Sequence, residues 1–548
     1  MSKIVVCNEP VTPLGSLRSP RMWLAMLDTD LPGKLMKSEI QLNHALADEE
    51  KPLLDDRLVA LYTAVVKKFA ALHGESTKCF LVRVPESLEL VGVHTQEFGG
   101  ASNAIACLET VFCVAPRTDS KVQVAHVEDR FHAAQYDLYE GLSKARQPFW
   151  PDYAQKHRGN GWSDVIRGAL QFYVNSHKGP TGQIELNIPG LNIVAGSVLP
   201  PGMNTHSDTT LTVAALVAIS AASGEWGKIA LSEFALQCAE AQEWGVGRKS
   251  NIGAVLFGMP GQVLHIDWNP PRPKGHALAA GSCFVTAYSG CASMSGAIAA
   301  IGAESAHETA ASIGHLLFRQ GGAARFAKAG HASDVLMSDE TVYQILREIP
   351  QRVSRAKAQE MIQADFIKKV LQPHFSEHSE PSGGYPARSK LLYVLSEIQR
   401  AARATNLIRK GDAAGLGELL NIGQIGEASM LHELSPGGLI EAAHPMIHAG
   451  DDAELDSLAE HVDPLWKQSG FWGGSTPETD LLCDLAQGVS GVYGARCCEP
   501  ERVVILCKKE ALTPLLERLA TGYYGPRNLP ASFATQVFPC RGAGVVEG

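Results

Sequence analysis

No Cys-x-x-Cys pair occurs among the twelve cysteines, and Cys497 and Cys498 are direct neighbours. Neither a zinc ribbon nor a disulfide framework is indicated, so the thiols are read as reduced. Clustered Lys and Arg are also missing, and with a formal net charge of −10 the chain is expected to bind no nucleic acid. The opening segment, MSKIVVCNEPVTPLG, has no basic stretch followed by an apolar core, which leads us to expect a cytoplasmic protein. The longest uncharged run, Leu278 to Ala303, is broken by Gly281, Gly290 and Gly296; it reads as a buried strand, a turn and a helix, and no membrane association is expected. His-Glu-x-x-His, the Walker loop and Gly-x-Ser-x-Gly do not occur, which removes three common catalytic signatures. Two histidine pairs spaced by four, His374 with His378 and His444 with His448, lack a third ligand and are read as solvent-facing.

What is present is a soluble globular composition, 45% hydrophobic and 19% charged over 548 residues, with 52 glycines. That length suits two large domains. DDRLVALYTAVVKKFAALHG places Leu58, Leu61, Val65, Phe69 and Leu72 near helical spacing, with His73-Gly74 as a stop. Strand-like runs follow at CFLVRVP, VFCVAP, KVQVAHV, QIELNI, NIVAGSVL and GQVLHID, alternating with helices such as GWSDVIRGALQFYV. Helices dominate after about residue 296: AIAAIGAESAHETAASIGHLLF, SDETVYQILREI, RAKAQEMIQADFIKKVL and a long segment from Ser389 to Arg409. The helix PETDLLCDLA and the strands ERVVILCKK and SFATQVFPCR close the chain. The pattern is α+β. The expected division is an extension over 1–52, one domain over 53–295 and a second over 296–548, with a Pro, Gly and Ser rich linker near 374–390.

Three polar stretches could carry chemistry. VGVHTQEFGG, Val91 to Gly100, runs from a strand into a polar turn that ends in two glycines. GSVLPPGMNTHSDTTLTVAALVAIS, Gly196 to Ser220, is a glycine-containing loop opening an apolar helix. Such a loop can offer backbone N–H groups to a phosphate, or Ser207 and Asp208 can simply cap the helix. EAQEWGVGRKSNIGAVLFGMPGQVLHIDWNP sets Arg248 and Lys249 in a polar turn, which reads as a solvated loop or as a phosphate contact.

Taken in order, these stretches resemble galactokinase, of the GHMP family of small-molecule kinases. VRVPESLELVGVHTQEFGG resembles the family's Ala-Pro-Gly-Arg-Val-Asn-Leu-Ile-Gly-Glu-His-Thr-Asp-Tyr-Asn-Gly-Gly, and LPPGMNTHSDTTLTVAAL its phosphate loop. GWSDVIRGALQF, GQVLHIDWNP and STPETDLLCDLAQGVSGVYGAR resemble further collinear segments, so the likeness spans roughly residues 53 to 545. It implies a two-lobed GHMP-kinase-like fold with the ligand cleft between the lobes, Mg-ATP as cofactor if the protein is active, and a small-molecule sugar as ligand.

The departures fall where the chemistry belongs. The resemblance puts the family's catalytic Arg at Ser87 and its catalytic Asp at Asn251, or at Ile252 with the gap moved. Neither Ser87 nor Asn251 supplies a guanidinium or a carboxylate. The sugar-contacting acids map to Val93 and Gln96, while His94 is kept; His94, Gln96 and Glu97 are the expected sugar-binding set. In the phosphate loop the nucleotide positions are Gly202, Asn204, Ser207 and Asp208, with Ser207 and Asp208 as the metal positions. Asp208 at a helix start satisfies the dipole itself and repels a triphosphate; magnesium ligation is the alternative. No glycine lies between Arg496 and Leu506, where the family has a glycine-rich turn. Three readings follow: a sugar- or nucleotide-binding pseudokinase, an active ATP-dependent sugar kinase using substitute residues, or an assembly subunit with a closed cleft and a protein partner.

Overall fold

The structure, a computed structural model, describes residues 17–29, 31, 50–140, 161–179, 186–198, 208–246, 252–268, 271–290, 296–321, 338–429, 431–435, 438–442 and 450–546. Among these the chain opens with helices α1 (Pro20–Leu27) and α2 (Glu50–His73), then strands β1 (Phe80–Val91), β2 (Ser102–Pro116), β3 (Lys121–His126) and β4 (Ala134–Asp137). Helix α3 (Trp162–Ser176), strand β5 (Leu191–Ser197), helices α4 (Asp208–Ala222), α5 (Leu231–Val246) and α6 (Gly253–Phe257), and the hairpin β6 (Gln262–Asp267) and β7 (Arg272–Ala277) complete the first half. The second half holds β8 (Ser282–Tyr288), α7 (Gly296–Gly321), α8 (Asp339–Glu348), α9 (Arg355–Met361), α10 (Ala387–Lys410) and α11 (Ala413–Glu427). It ends with the hairpin β9 (Leu431–Ser435) and β10 (Gly438–Ala442), α12 (Asp452–His461), α13 (Pro477–Gln487), β11 (Val492–Glu499), β12 (Arg502–Lys508), α14 (Leu512–Leu519), β13 (Ala534–Val537) and β14 (Gly544–Val545).

The larger sheet runs β14-β1-β2-β5-β3-β4, with β6 on β2 and β7 on β6; among the described residues only β3 and β5 pair in parallel. The smaller sheet is antiparallel, in the order β11-β12-β8-β13. Strand β1 shows why they are joined. Its first half alternates between two layers: Phe80, Val82 and Val84 pack with α3 and α4, and Leu81 packs with α1 and α2. Its second half, Leu88 and Leu90, lies instead in a core with Ala401 and Ala404 of α10, Leu416 of α11 and Val504 of β12. The turn that follows β1 is therefore delivered to the junction of the two sheets.

Most expected elements form. Four differences have local causes. On α2, Leu58, Leu61, Val65 and Phe69 are buried, whereas Leu72 is 51% exposed because the last turn runs past the core. The described part of QIELNI, 186–188, is not a strand: Pro189-Gly190 carries the chain to Leu191, and a side chain at Gly190 would strike the Lys121 carbonyl. The helix expected at RAKAQEMIQADFIKKVL breaks after Met361, where Ile362 turns into extended backbone (φ −104°, ψ 140°) and is buried. His374 and His378 are half-buried rather than solvent-facing, His374 beside Glu377 (3.7 Å) and His378 hydrogen-bonded to the Tyr385 hydroxyl (3.0 Å); His444 and His448 lie outside the described residues. No described helix is long and apolar enough to cross a membrane.

Candidate functional site

The turn after β1 is built from left-handed backbone: Gly92 (φ 88°), His94 (φ 61°) and Gly99 (φ 75°). A side chain at Gly92 would collide with the Ala101 carbonyl, so only glycine fits there. Thr95 is fully buried, and its hydroxyl donates to the Gly92 carbonyl at 2.8 Å. The Thr95 carbonyl accepts from the N–H groups of Phe98 (3.0 Å) and Gly100 (2.9 Å), which closes a short 3-10 turn over Gln96–Phe98. Val93 and Phe98 are buried. Val93 therefore works as core where the resemblance puts an acid.

His94, left partly open by the turn, is held on three sides. Its Nδ1 lies 3.1 Å from Glu304 on α7 and its Nε2 3.4 Å from Glu427 at the end of α11. Its ring stacks on Trp472, with centroids 4.2 Å apart and planes 15° apart. Burial works against a charge here, but the two carboxylates outweigh it and hold the imidazole pKa up at about 10. Glu427 shows the reciprocal effect: burial would raise its pKa, yet His94, Arg496 and the Tyr393 hydroxyl bring it down to about 2.

Behind His94 lies a buried ionic network. Arg496 of β11 pairs with Glu397 of α10 and lies 3.2 Å from Glu427; its Nη2 donates to Tyr393 at 2.5 Å. Arg400 pairs with Glu397 at 2.5 Å, and all three side chains are closed to solvent. The network reaches back to the turn, because Glu397 accepts from the Gly92 N–H (3.0 Å) and Arg496 donates to the Leu90 carbonyl (3.3 Å). Lys390 is buried over the Phe471 and Trp472 rings (4.9 and 5.4 Å) and donates to the Trp472 carbonyl. Burial pulls its pKa down to about 7 against the pull of Glu427 and Glu304. His307, also facing Trp472 (5.8 Å), is pushed down to about 3 by burial and by Lys390. Burial, with Glu304 and Glu97 adding to it, raises Glu308 to about 7.

The other sequence-derived positions divide as follows. Ser87 is half-buried on β1, its Oγ makes no hydrogen bond with a described residue, and its carbonyl accepts from Arg502 Nη2 at 2.8 Å. Beside it β2 carries a bulge: Leu108 has φ 60°, and the pairing slips between Pro85 and Glu86. Arg502, the guanidinium that reaches Ser87, also pairs with Glu499 at 2.7 Å. Asp208 is the first residue of α4 and half-buried. Gly202, Asn204, Ser207, Asn251, Arg248 and Lys249 lie outside the described residues. Among the described residues no group of three or more His, Cys, Asp or Glu is placed to hold a metal ion. Where the family has a glycine-rich turn, β11 and β12 join through Pro500-Glu501 and the Arg502–Glu499 pair. Gln96 and Glu97 sit on the 3-10 turn, half-buried and exposed. Sequence reasoning did not reach Glu304, Lys390, Glu397, Glu427 or Trp472, which lie hundreds of residues from the turn. The Glu397-x-x-Arg400 spacing was the one local sign of them, an i, i+3 pair on a helix.

No protein-family profile matches the chain, and no curated protein sequence matches it. Among solved structures, the chain is similar to Lactococcus lactis galactokinase complexed with galactose, at 15% identity over 88% of this chain and 98% of that one, with a TM-score of 0.58. Mevalonate kinase from Methanococcus jannaschii matches at 12% identity over 84% and 98%, with a TM-score of 0.40. At these identities the likeness speaks to the fold: the chain is an α+β protein with the GHMP-kinase-like fold.

Proposed function

We propose that the protein is a sugar- or nucleotide-binding pseudokinase of galactokinase-like lineage, a cytoplasmic protein that keeps a ligand cleft and has lost phosphoryl transfer. The observation that carries this reading is the state of Ser87. A transferring site needs a cation aimed at the developing phosphoryl charge and a group that takes or orients the hydroxyl proton. Ser87 offers neither, and the guanidinium that reaches it, Arg502, is spent on the Ser87 carbonyl and Glu499. On this reading the Ser87 position does not suit Mg-ATP as a reacting cofactor. The turn, by contrast, is closed by its own hydrogen bonds, which supports retained binding.

Thermal unfolding with galactose, arabinose and other monosaccharides, with and without Mg-ATP, tests the proposal alongside a coupled ADP-release assay on each stabilising sugar. Stabilisation by several degrees without ADP release is expected. Turnover that disappears in Asp208→Ala would establish the active kinase instead. Absence of stabilisation by every combination would favour the assembly subunit.

A further inference from the structure

The sequence has no run of Lys and Arg, yet the fold gathers cations from separate segments along one side of α10. From Ile398 to Gly411 the chain carries no carboxylate. Arg403, Asn406, Arg409 and Lys410 follow one another at turn spacing on one face of the helix, and all four are exposed. At one end of that face Trp466 lies half-buried, its ring centre 4.0 Å from the Arg403 guanidinium and 5.4 Å from the Lys467 amine. At the other end stands the β6–β7 hairpin. Lys274 is the cross-strand partner of His265, and Arg272 that of Asp267, so these side chains share one face of the hairpin. That face meets α10 where His265 Nδ1 lies 2.8 Å from the Thr405 hydroxyl. Burial lowers the pKa of the neighbouring His276, and the charges of His265, Arg409 and Lys274 add to the effect, as expected of cations gathered on one side.

Lys274 is held by Asp267 at 3.0 Å. Arg272, Arg403, Arg409, Lys410 and Lys467 form no ion pair with a described residue. Arg409 and Lys410, in the last turn of α10, suit the negative end of the helix dipole. That does not account for Arg272, Arg403 or Lys467, which lie elsewhere. In a chain of formal net charge −10, this strip is a local reversal of sign. Screening in physiological salt confines its pull to about 8 Å, so it acts on what touches it. An extended polyanion would also meet the acidic remainder of the surface, whereas a short acidic segment meets the strip alone.

We infer that the exposed face of α10, from Trp466 and Lys467 to the β6–β7 hairpin, is a docking surface for a short acidic segment of a partner protein. The inference stands apart from what the cleft binds.

The test is fluorescence anisotropy with a fluorescein-labelled oligoglutamate peptide on the full chain. The variants are Arg403→Glu/Lys467→Glu at one end of the strip, Arg272→Glu/Arg409→Glu at the other, and Arg518→Glu on α14 as an exposed cation outside it. Wild type is expected to bind at low salt and to weaken as salt rises. Each double reversal should weaken binding about 5- to 10-fold, the worth of two exposed ion pairs, and Arg518→Glu should leave it unchanged. Circular dichroism checks that each variant is folded; because the two pairs stand at opposite ends, the loss of one to misfolding leaves the other to decide. Absence of binding by wild type, binding indifferent to the reversals, or an equal loss in Arg518→Glu would each overturn the assignment. A single-stranded oligonucleotide or phosphatidylserine vesicles bound more tightly than the peptide would overturn it in favour of that other class.

Discussion

His94 and Lys390 respond to the same two carboxylates, Glu304 and Glu427, yet their pKa values move in opposite directions. His94 gains two ion-pair partners at the cost of burial, whereas Lys390 is buried more deeply than its neighbours can offset. Their effects on stability oppose one another. The folded pKa of His94, about 10, lies above its ordinary 6.5, so its contribution is complete below pH 6.5 and is lost as pH rises toward 10. The folded pKa of Lys390, about 7, lies below its ordinary 10.5, so its burial is costly in neutral solution and the cost fades as pH rises from 7 toward 10.5. Between pH 7 and about 8.5 the two slopes cancel. Lys390→Met should expose the His94 slope: urea unfolding across that window is expected to lose about 1–2 kcal/mol relative to wild type. A variant profile parallel to wild type would refute the opposed pair.

At the level of elements, the segment Gly-Val-Tyr-Gly-Ala-Arg is explained by packing. Gly491 turns with φ 92°, and a side chain at Gly494 would collide with the Gly417 carbonyl, because β11 and α11 meet backbone to backbone there. Arg496 ends the segment inside the ionic network. Gly494→Ala is expected to cost about 1–3 kcal/mol by overpacking that contact; an unchanged unfolding midpoint would contradict it. Arg496→Met removes the cation shared by Glu397 and Glu427 and is expected to cost about 3–5 kcal/mol, the penalty for breaking a buried pair from one side. Denaturant unfolding measures both. The segment is thus accounted for by its packing against α11 and by the ionic network behind the turn after β1.

Over the described residues, the two sheets are joined through a shared apolar core rather than a thin linker. Strand β1 contributes to cores on both sides, and after β13 has joined the smaller sheet the chain crosses back so that β14 pairs with β1. Strand β2 is also wired to α10, where Asn103 donates to the Ala401 carbonyl at 2.8 Å. Unfolding one side exposes apolar surface of the other. Scanning calorimetry is therefore expected to show one transition whose calorimetric and van't Hoff enthalpies agree, in spite of the chain's length. Two resolved transitions would mean that the halves are independent.

The sequence by itself determined the elements with strong periodicity, such as α2 and α10, and the order of the family-like segments, because helical spacing and turn glycines are local properties. It also placed Ser87 and His94 on and after a strand. What it could not supply is the environment of either. Whether His94 faces a ligand or a pair of carboxylates depends on Glu304, Glu427 and Trp472, brought in by helices and a loop far along the chain. Whether Ser87 stands next to a usable cation depends on Arg502 being held by Glu499 and by the Ser87 carbonyl. Charge, hydrogen-bond capacity and pKa are set by what surrounds a group within a few ångströms, and those neighbours exist only once β1 has been threaded between the two cores.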